Sequence, residues 1–180
     1  MSFLKKIGVM QGRLSPQYSN YIQCFPEKHW SREFKIAKKL KLNSIEWTLD
    51  YDNLFKNPIF DKNQIKKIKY LKKKYKFQLI EDNCESLGSG IGKKKLGTLG
   101  LASSHSFYYG HHISTIEGGM VSTKDRKFYN LALAIRSHGW ARDMEKKFRL
   151  NLEKKFKIDE FKSLFTFYYS GFNIRSTDFN

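Results

Sequence analysis

The fold is decided by a central stretch in which polar residues end an apolar run, Ser106-Phe107-Tyr108-Tyr109-Gly110-His111-His112. Upstream, a second apolar run ends in the acidic segment Glu81-Asp82-Asn83-Cys84-Glu85-Ser86-Leu87-Gly88. Downstream comes a Gly-Gly turn and a further apolar stretch, Glu117-Gly118-Gly119-Met120-Val121. Sheets of α/β proteins usually bind ligands at the C-terminal ends of their strands. The order of these segments therefore predicts a ligand-binding site at the C-terminal ends of strands in one sheet.

Composition places the chain among globular proteins, because its 180 residues are 40% hydrophobic and 16% aromatic. No apolar signal core follows the first residues, so we expect a cytoplasmic protein with no membrane partner. Cys24 and Cys84 lie far apart without metal-ligand spacing, which fits a reducing compartment and no metal site. The net charge of +17 would suit nucleic acid or an anionic surface. Because the lysines look scattered along the chain, we expect no nucleic-acid partner.

Apolar periodicity predicts an α/β chain in which strands and helices alternate. The predicted elements are strands at 7–10 and 44–49, helices at 30–40 and 62–75, strands at 77–80, 102–107 and 119–122, and a helix at 124–137 capped by Thr123. The order strand, helix, strand, helix favours parallel strands with right-handed crossovers. The glycine-rich segment 88–100 lacks the phosphate-loop pattern, so we predict a connecting loop there.

The acidic, serine-histidine and Gly-Gly segments, in this order, resemble the DegT or StrS type of sugar aminotransferases, a family of pyridoxal-phosphate enzymes. The end of the chain is similar to a G-y-N-x-R-x-T/S-D segment of that family, Gly171-Phe172-Asn173-Ile174-Arg175-Ser176-Thr177-Asp178. The resemblance implies pyridoxal 5'-phosphate or pyridoxamine 5'-phosphate as cofactor, and a homodimer for the family. It assigns 79–180 to a fragment of the large domain of a fold-type I aminotransferase.

Four residues match positions that contact the cofactor in that family. Asp82 matches the carboxylate beside the pyridine nitrogen, and Ser106 matches the serine that binds the cofactor phosphate. Asn173 matches the asparagine that reaches the phosphate of the neighbouring subunit, and Glu85 lies where the family often has His or Gln near the ring. Outside this pattern, Asp82 would be an ordinary turn residue.

His111 departs from the aminotransferase pattern, which has at this offset a lysine that binds the cofactor covalently. Imidazole cannot make that bond, but it can act as a general base or acid near neutral pH. The same substitution marks a subgroup of 3-dehydratases, similar to the GDP-4-keto-6-deoxymannose 3-dehydratases. The resemblance thus implies His111 as the catalytic residue and a nucleotide-linked 4-keto-deoxysugar as the ancestral substrate, in deoxysugar or surface-polysaccharide biosynthesis. Adjacent histidines in a polar loop, or a weak metal site, are the alternatives.

The first 78 residues carry a second resemblance, on Ile7-Gly8-Val9-Met10-Gln11-Gly12-Arg13-Leu14-Ser15-Pro16, Phe25-Pro26, Trp30 and Ile45-Glu46-Trp47. These segments look like the opening of the xylose-isomerase-like sugar-phosphate isomerases, which are (β/α)-barrel enzymes. The resemblance implies two barrel-like βα units. The metal ligands of that family come from later strands, so Glu46 is expected to be a polar strand end and Trp47 a core residue.

Together these patterns predict two segments, 1–78 and 79–180. The expected fold is a partial, mostly parallel sheet with flanking helices, which combines two barrel-like βα units with the aminotransferase fragment. We expect an incomplete nucleotide-sugar enzyme that is inactive by itself, since most cofactor contacts of the family have no match. The alternatives are a remnant of a sugar-phosphate isomerase or epimerase, and a basic binding module without catalysis.

Overall fold

The computed structural model describes residues 7–16, 24–50 and 53–176. The chain divides into two compact units, Met1–Gln78 and Leu79–Asn180. In the described ranges, no helix has the length and apolarity needed to cross a membrane. The units divide where the two resemblances meet, but compactness does not reveal ancestry, so the assignment of each segment stays a prediction.

The first unit contains two short parallel strands and two helices. Its elements are β1 at Gly8–Met10, α1 at Trp30–Lys39, β2 at Ser44–Glu46 and α2 at Lys62–Tyr75, with 3-10 turns at Leu54–Lys56 and Pro58–Phe60. Strands β1 and β2 pair in parallel, as predicted. Parallel pairs occur in both barrels and open sheets, so the barrel-like origin also stays a prediction.

The two ends of helix α2 are set by residues that adjoin it in the chain. Asp61 caps the helix, because its carboxylate accepts the N–H groups of Asn63 and Gln64 at 2.8 Å. At the other end, Lys76 adopts the left-handed conformation that stops a helix. The expected limits of 62–75 are therefore confirmed.

Aromatic rings dominate the core of the first unit. Phe25, Trp30, Phe34 and Leu71 are buried there, and the half-buried Trp47 packs against them, as its prediction as a core residue requires. The ring centroids of Trp30 and Trp47 are 5.5 Å apart. Leu40, by contrast, is 50% exposed and lies just after α1, although the predicted helix at 30–40 includes it.

A buried carboxylate fixes the loop that leaves β1. Glu33 is 1% exposed, and its oxygens accept the N–H groups of Gly12 and Leu14 at 3.0 Å and the Ser15 hydroxyl at 2.8 Å. A carboxylate is costly to bury unless such donors satisfy it. This interaction ties the loop to α1, and it explains why a charged residue lies inside the unit.

The second unit is built on a three-stranded sheet and a small hairpin. Its strands are β3 at Ile80–Asp82, β4 at Gly90–Ile91, β5 at Lys94–Lys95, β6 at Ala102–Ser106 and β7 at Gly119–Thr123. The sheet has the order β3-β6-β7, in which β3 is parallel and β7 antiparallel to β6. The expectation of a mostly parallel sheet is wrong for β7, since the short connection from β6 returns the chain alongside it.

The glycine-rich segment also differs from its prediction as a plain loop. Strands β4 and β5 form an antiparallel hairpin in it. Beyond the hairpin, the Glu81 carboxylate accepts the N–H groups of Gly97, Leu99 and Gly100 at 2.6–2.8 Å. The segment is thus held against the sheet by a protein carboxylate, and its amides have a structural role.

Three helices complete the second unit: α3 at Arg126–Arg136, α4 at Lys146–Phe156 and α5 at Glu160–Ser163. Asp125 caps α3 by accepting the N–H groups of Lys127 and Phe128, so the prediction of Thr123 as the cap is wrong. Leu131 of α3 is 38% exposed. The core of this unit consists of Ala134, Ala141, Met144 and Leu152.

Candidate functional site

The candidate site lies at the end of two neighbouring parallel strands. Strand β3 pairs with β6 so that Asp82 lies opposite Ser104. Alternate residues of a strand share one face of its sheet, so Ser106 lies on the same face as Ser104, two residues further along. The backbone pairing therefore brings Asp82 and Ser106 to the same end of the sheet, where β3 and β6 finish.

Asp82 is held in place by residues next to it in the chain and across the sheet. Its Oδ1 atom accepts the Cys84 N–H at 3.2 Å and the Ser104 hydroxyl at 3.1 Å. The pKa of the Asp82 carboxyl lies below its ordinary value, chiefly because the Cys84 side chain also hydrogen-bonds it. Partial burial opposes this shift, and the Ser104 hydroxyl and the charge of His111 add to it. Asp82 is thus an ionised carboxylate at neutral pH.

His111 lies in the turn that follows β6. Its backbone N–H donates to the carbonyl of Tyr108 at 3.0 Å, and its half-buried ring is 5.8 Å from the Tyr108 ring, centroid to centroid. The Tyr108 N–H in turn donates to the Ser106 hydroxyl at 3.3 Å. One short turn thus links Ser106 to His111, and the charge of His111 acts on the pKa of Asp82.

The other two predicted residues are placed less centrally. Glu85 is exposed after β3, and its charge contributes to raising the pKa of the Cys84 thiol. Asn173 forms a β-bridge with Ser137 at the end of α3, and its Oδ1 atom accepts from the Arg175 guanidinium. Nothing in the described contacts joins Asn173 to Asp82. The two final residues of the predicted 171–178 motif lie outside the described residues.

Sequence reasoning missed two residues that hold Asp82. An aspartate commonly accepts the N–H two residues further on, so the position of Cys84 was a readable signal. Ser104 could have been found from the alternation of side chains along β6, given Ser106. Both depend on knowing that Asp82 ends a strand, because the spacing is otherwise unremarkable.

The contact between Asp82 and Cys84 gives a first prediction. We expect Cys84→Ala to raise the pKa of Asp82 towards its ordinary value, because the largest cause of the depression is removed. A depressed folded-state pKa adds stability above the unfolded pKa of about 3.9, and that stability is lost as the pH falls through the folded pKa. The variant should therefore lose less stability on acidification below about pH 4. NMR titration of the Asp82 carboxyl carbon measures the shift directly.

The reciprocal change provides the check on this prediction. The pKa of the Cys84 thiol is raised, first by its hydrogen bond to Asp82. Asp82→Asn should therefore lower that pKa and speed alkylation of Cys84 at mildly alkaline pH, with Cys24 as the reference thiol in the same molecule. An unchanged Cys84 rate, together with an unchanged Asp82 titration in Cys84→Ala, would contradict the interaction.

Comparison with known proteins identifies relatives of this chain. The model of the DegT/DnrJ/EryC1/StrS aminotransferase family matches residues 61–179. The GDP-4-keto-6-deoxy-D-mannose 3-dehydratase of Escherichia coli O55:H7 is 43% identical over 97 residues, which cover 54% of this chain and 24% of that protein. The same enzyme of Yersinia pseudotuberculosis is 41% identical over 97 residues, with the same coverage.

Solved structures are similar as well. A variant of GDP-4-keto-6-deoxymannose-3-dehydratase with bound GDP-perosamine has a TM-score of 0.58 and 25% identity, over 95% of this chain and 45% of that one. The E. coli GDP-4-keto-6-deoxy-D-mannose-3-dehydratase with bound hydrated PLP has a TM-score of 0.56 and 26% identity over the same shares. These likenesses show the mixed α/β fold of part of a fold-type I aminotransferase.

This chain covers only part of the length of each of these relatives. The chain spans about a quarter of the length of the curated relatives and less than half of the solved ones. The family match nevertheless covers most of this chain, from α2 through the bridge at Asn173. The chain therefore belongs to the DegT/DnrJ/EryC1/StrS aminotransferase family.

Proposed function

We propose that the second unit carries the proton-handling part of a nucleotide-sugar 3-dehydratase site. The observation that supports this most is the pair of an ionised carboxylate, Asp82, and an imidazole, His111, near one sheet edge. An amine at position 111 would instead favour a transaminase. The similarity to GDP-4-keto-6-deoxy-D-mannose 3-dehydratases suggests a nucleotide-linked 4-keto-6-deoxysugar as the substrate class.

The residues present fit a pyridine cofactor carrying a phosphate. Asp82, with its lowered pKa, would hold a proton on the ring nitrogen, and the Ser106 hydroxyl would donate to the phosphate. Asn173 would contact the phosphate held by a neighbouring subunit, and Glu85 would face the ring. When bound, pyridoxal or pyridoxamine phosphate supplies an electron sink for a substrate carbanion. Orienting the ring and keeping its nitrogen charged are the tasks of this chain.

His111 would move the proton in this site. An imidazole can accept a proton at a ring nitrogen near neutral pH and return it. We propose that His111 would accept a proton from a C–H bond made acidic by the electron sink and would then donate that proton to the C3 hydroxyl of the sugar. The electron pair of the broken C–H bond would expel the protonated hydroxyl as water. The turn that joins His111 to Ser106 would keep the ring beside the phosphate end of the cofactor.

We also propose that this chain does not turn over substrate by itself. It spans less than half of the solved relatives, and each absent charge-assisted hydrogen bond to the cofactor costs about 1.5–3 kcal/mol. A second polypeptide or segment would have to supply the remaining contacts. Within the described ranges, no three metal-ligating side chains converge.

For the first unit, we propose an origin in the xylose-isomerase-like barrels only for the residues before α2. The parallel pairing of β1 and β2 is compatible with this origin, which rests on the resemblance of residues 7–16, 25–30 and 45–47. The family match begins at residue 61, which supports counting α2 with the aminotransferase part in this proposal. The predicted division into 1–78 and 79–180 stays a prediction.

Binding of pyridoxamine phosphate to the purified chain tests the proposed site. We expect Asp82→Asn to weaken binding about 10-fold or more, because a charged hydrogen bond to the ring nitrogen is lost. Equilibrium dialysis measures the affinity. Asp143→Asn is the matched control, since it removes a carboxylate that pairs with Arg136 between α3 and α4.

Three outcomes would contradict parts of the proposal. The first is equal affinity in the Asp82→Asn and Asp143→Asn variants, which would remove Asp82 from the site. The second is full dehydration of a GDP-linked 4-keto-6-deoxysugar by the chain alone, which would contradict its dependence on further segments. Dehydration that survives in His111→Asn would remove the catalytic role of His111.

A further inference from the structure

The positive charge of this protein is concentrated in its first unit. Residues 1–78 contain 18 Lys and Arg against 6 Asp and Glu, so they carry 12 of the 17 net positive charges. Helix α2 alone has seven lysines and no acidic residue. The positive charge is therefore less evenly scattered than the composition first suggested, and seven lysines lie on the single helix α2.

The lysines of α2 all lie on its exposed side. Ile68, Leu71 and Tyr75 face the aromatic core of the unit, and the seven lysines are exposed, with the Lys67 ammonium 5.0 Å from the centroid of the Trp30 ring. The ion pairs found among the described residues all belong to the second unit. Within the described ranges, no carboxylate is paired with an ammonium group of α2, although Lys67 and Lys74 contact aromatic rings.

An exposed ring lies at the centre of this charged face. Tyr70 is 57% exposed, and each of its helical neighbours three or four positions away is a lysine: Lys66, Lys67, Lys73 and Lys74. The Lys74 ammonium lies 5.4 Å from the centroid of the Tyr70 ring. We call Tyr70 and these four lysines the α2 face.

We propose that the α2 face binds single-stranded nucleic acid, with the ammonium groups on phosphates and the Tyr70 ring stacked on a base. Grooves for single strands combine positive charge that follows the backbone with aromatic rings that stack on bases. Just before α2, the Phe55 and Phe60 rings lie 5.8 Å apart, with Phe55 85% exposed, and they offer a second stacking surface.

A membrane surface fits this face less well. Amphipathic helices that bind membranes bury an apolar stripe in the lipid. The apolar stripe of α2 is already occupied by Trp30, Phe34 and their neighbours in the core. An acidic protein would use the charges but would leave the exposed Tyr70 ring without its stacking partner.

Fluorescence anisotropy of a labelled thymidylate strand of about 20 nucleotides tests the proposal with the full-length chain. The test variant replaces Lys66, Lys67, Lys73 and Lys74 by Gln. The matched control replaces four exposed lysines of α4 by Gln, namely Lys146, Lys147, Lys154 and Lys155. Both variants lose the same charge, and circular dichroism confirms that both are folded.

We expect the α2 variant to bind at least about 10-fold more weakly, and its log–log salt slope to be smaller by about 3. The α4 variant should keep nearly the wild-type slope. Tyr70→Ala should weaken binding about 5-fold to 100-fold, whereas Tyr70→Phe should bind like the wild type, because stacking needs only the ring.

Several results would overturn the proposal: no binding at low salt, equal losses in the two lysine variants, or binding to phosphatidylserine vesicles without binding to the strand. Equal affinity of Tyr70→Ala and Tyr70→Phe would overturn the stacking role. None of these measurements involves the cofactor, so they are independent of the proposed dehydratase site.

Discussion

Replacing His111 by lysine is expected to create a position that captures pyridoxal phosphate covalently. A primary amine reacts with the aldehyde of this cofactor, which imidazole does not do. Position 111 lies in the turn after Ser106 and is close enough to influence the pKa of Asp82. If these residues form one pocket, a lysine there meets a bound aldehyde at high effective concentration. Peptide mapping after borohydride reduction should show labelling at position 111 about 10-fold above the background of surface lysines.

The neighbouring histidine provides the control for this experiment. His112 is exposed, so His112→Lys introduces the same amine one residue away from the proposed pocket. Its labelling should match that of ordinary surface lysines. Adding Asp82→Asn to His111→Lys should return the labelling to this background, because the ring is then no longer held. Equal labelling at the two positions would show that no pocket orients the cofactor at position 111.

Elements whose limits are set locally could be predicted from the sequence. The 62–75 helix is an example, because its cap at Asp61, its apolar stripe and its end at Lys76 all lie within the segment. Strand β6 follows the same rule. The expected limit of 107 is only one residue beyond its end at Ser106.

Elements that depend on distant contacts were missed or displaced. The pairing of β7 antiparallel to β6 is a property of the sheet, and no local pattern fixes it. No element was predicted where helix α4 lies, although Phe148, Leu152 and Phe156 recur at a helical spacing. Its many lysines hid this stripe. Only the packing of Phe148 and Leu152 in the second core makes the helix evident.

The candidate site shows the same division. The resemblance of the ordered segments to the aminotransferase family selected Asp82, Ser106 and His111, because their positions at strand ends alone would have left them ordinary polar residues. The pairing of β3 with β6, which brings the first two together, joins residues about 20 positions apart and could not be read locally. The position of Asn173 depends on the crossing of the C-terminal segment over the end of α3, which is also tertiary.

Gly139 lies at that crossing, and we expect an added methyl group there to reduce the stability of the protein strongly. Gly139 is buried with φ at +90°, a backbone conformation that L side chains rarely adopt. A Cβ atom there would overlap the backbone carbonyl oxygen of Tyr169, which cannot move as a flexible side chain would. We expect Gly139→Ala to lower the free energy of unfolding by about 3–5 kcal/mol, from backbone strain and overpacking together.

Gly88→Ala separates the two contributions. Gly88 has a similar φ of +81°, but a Cβ atom there would meet nothing within 4 Å, so only backbone strain remains, at about 1 kcal/mol. Thermal unfolding should show midpoint losses of about 10 °C for Gly139→Ala and about 3 °C for Gly88→Ala. Asn173 bridges to Ser137 at this crossing, so the former variant should also broaden the Asn173 amide signal in NMR spectra. Equal losses of stability in the two variants would mean that the segment at Tyr169 does not pack against the end of α3, and would remove the support for placing Asn173 there.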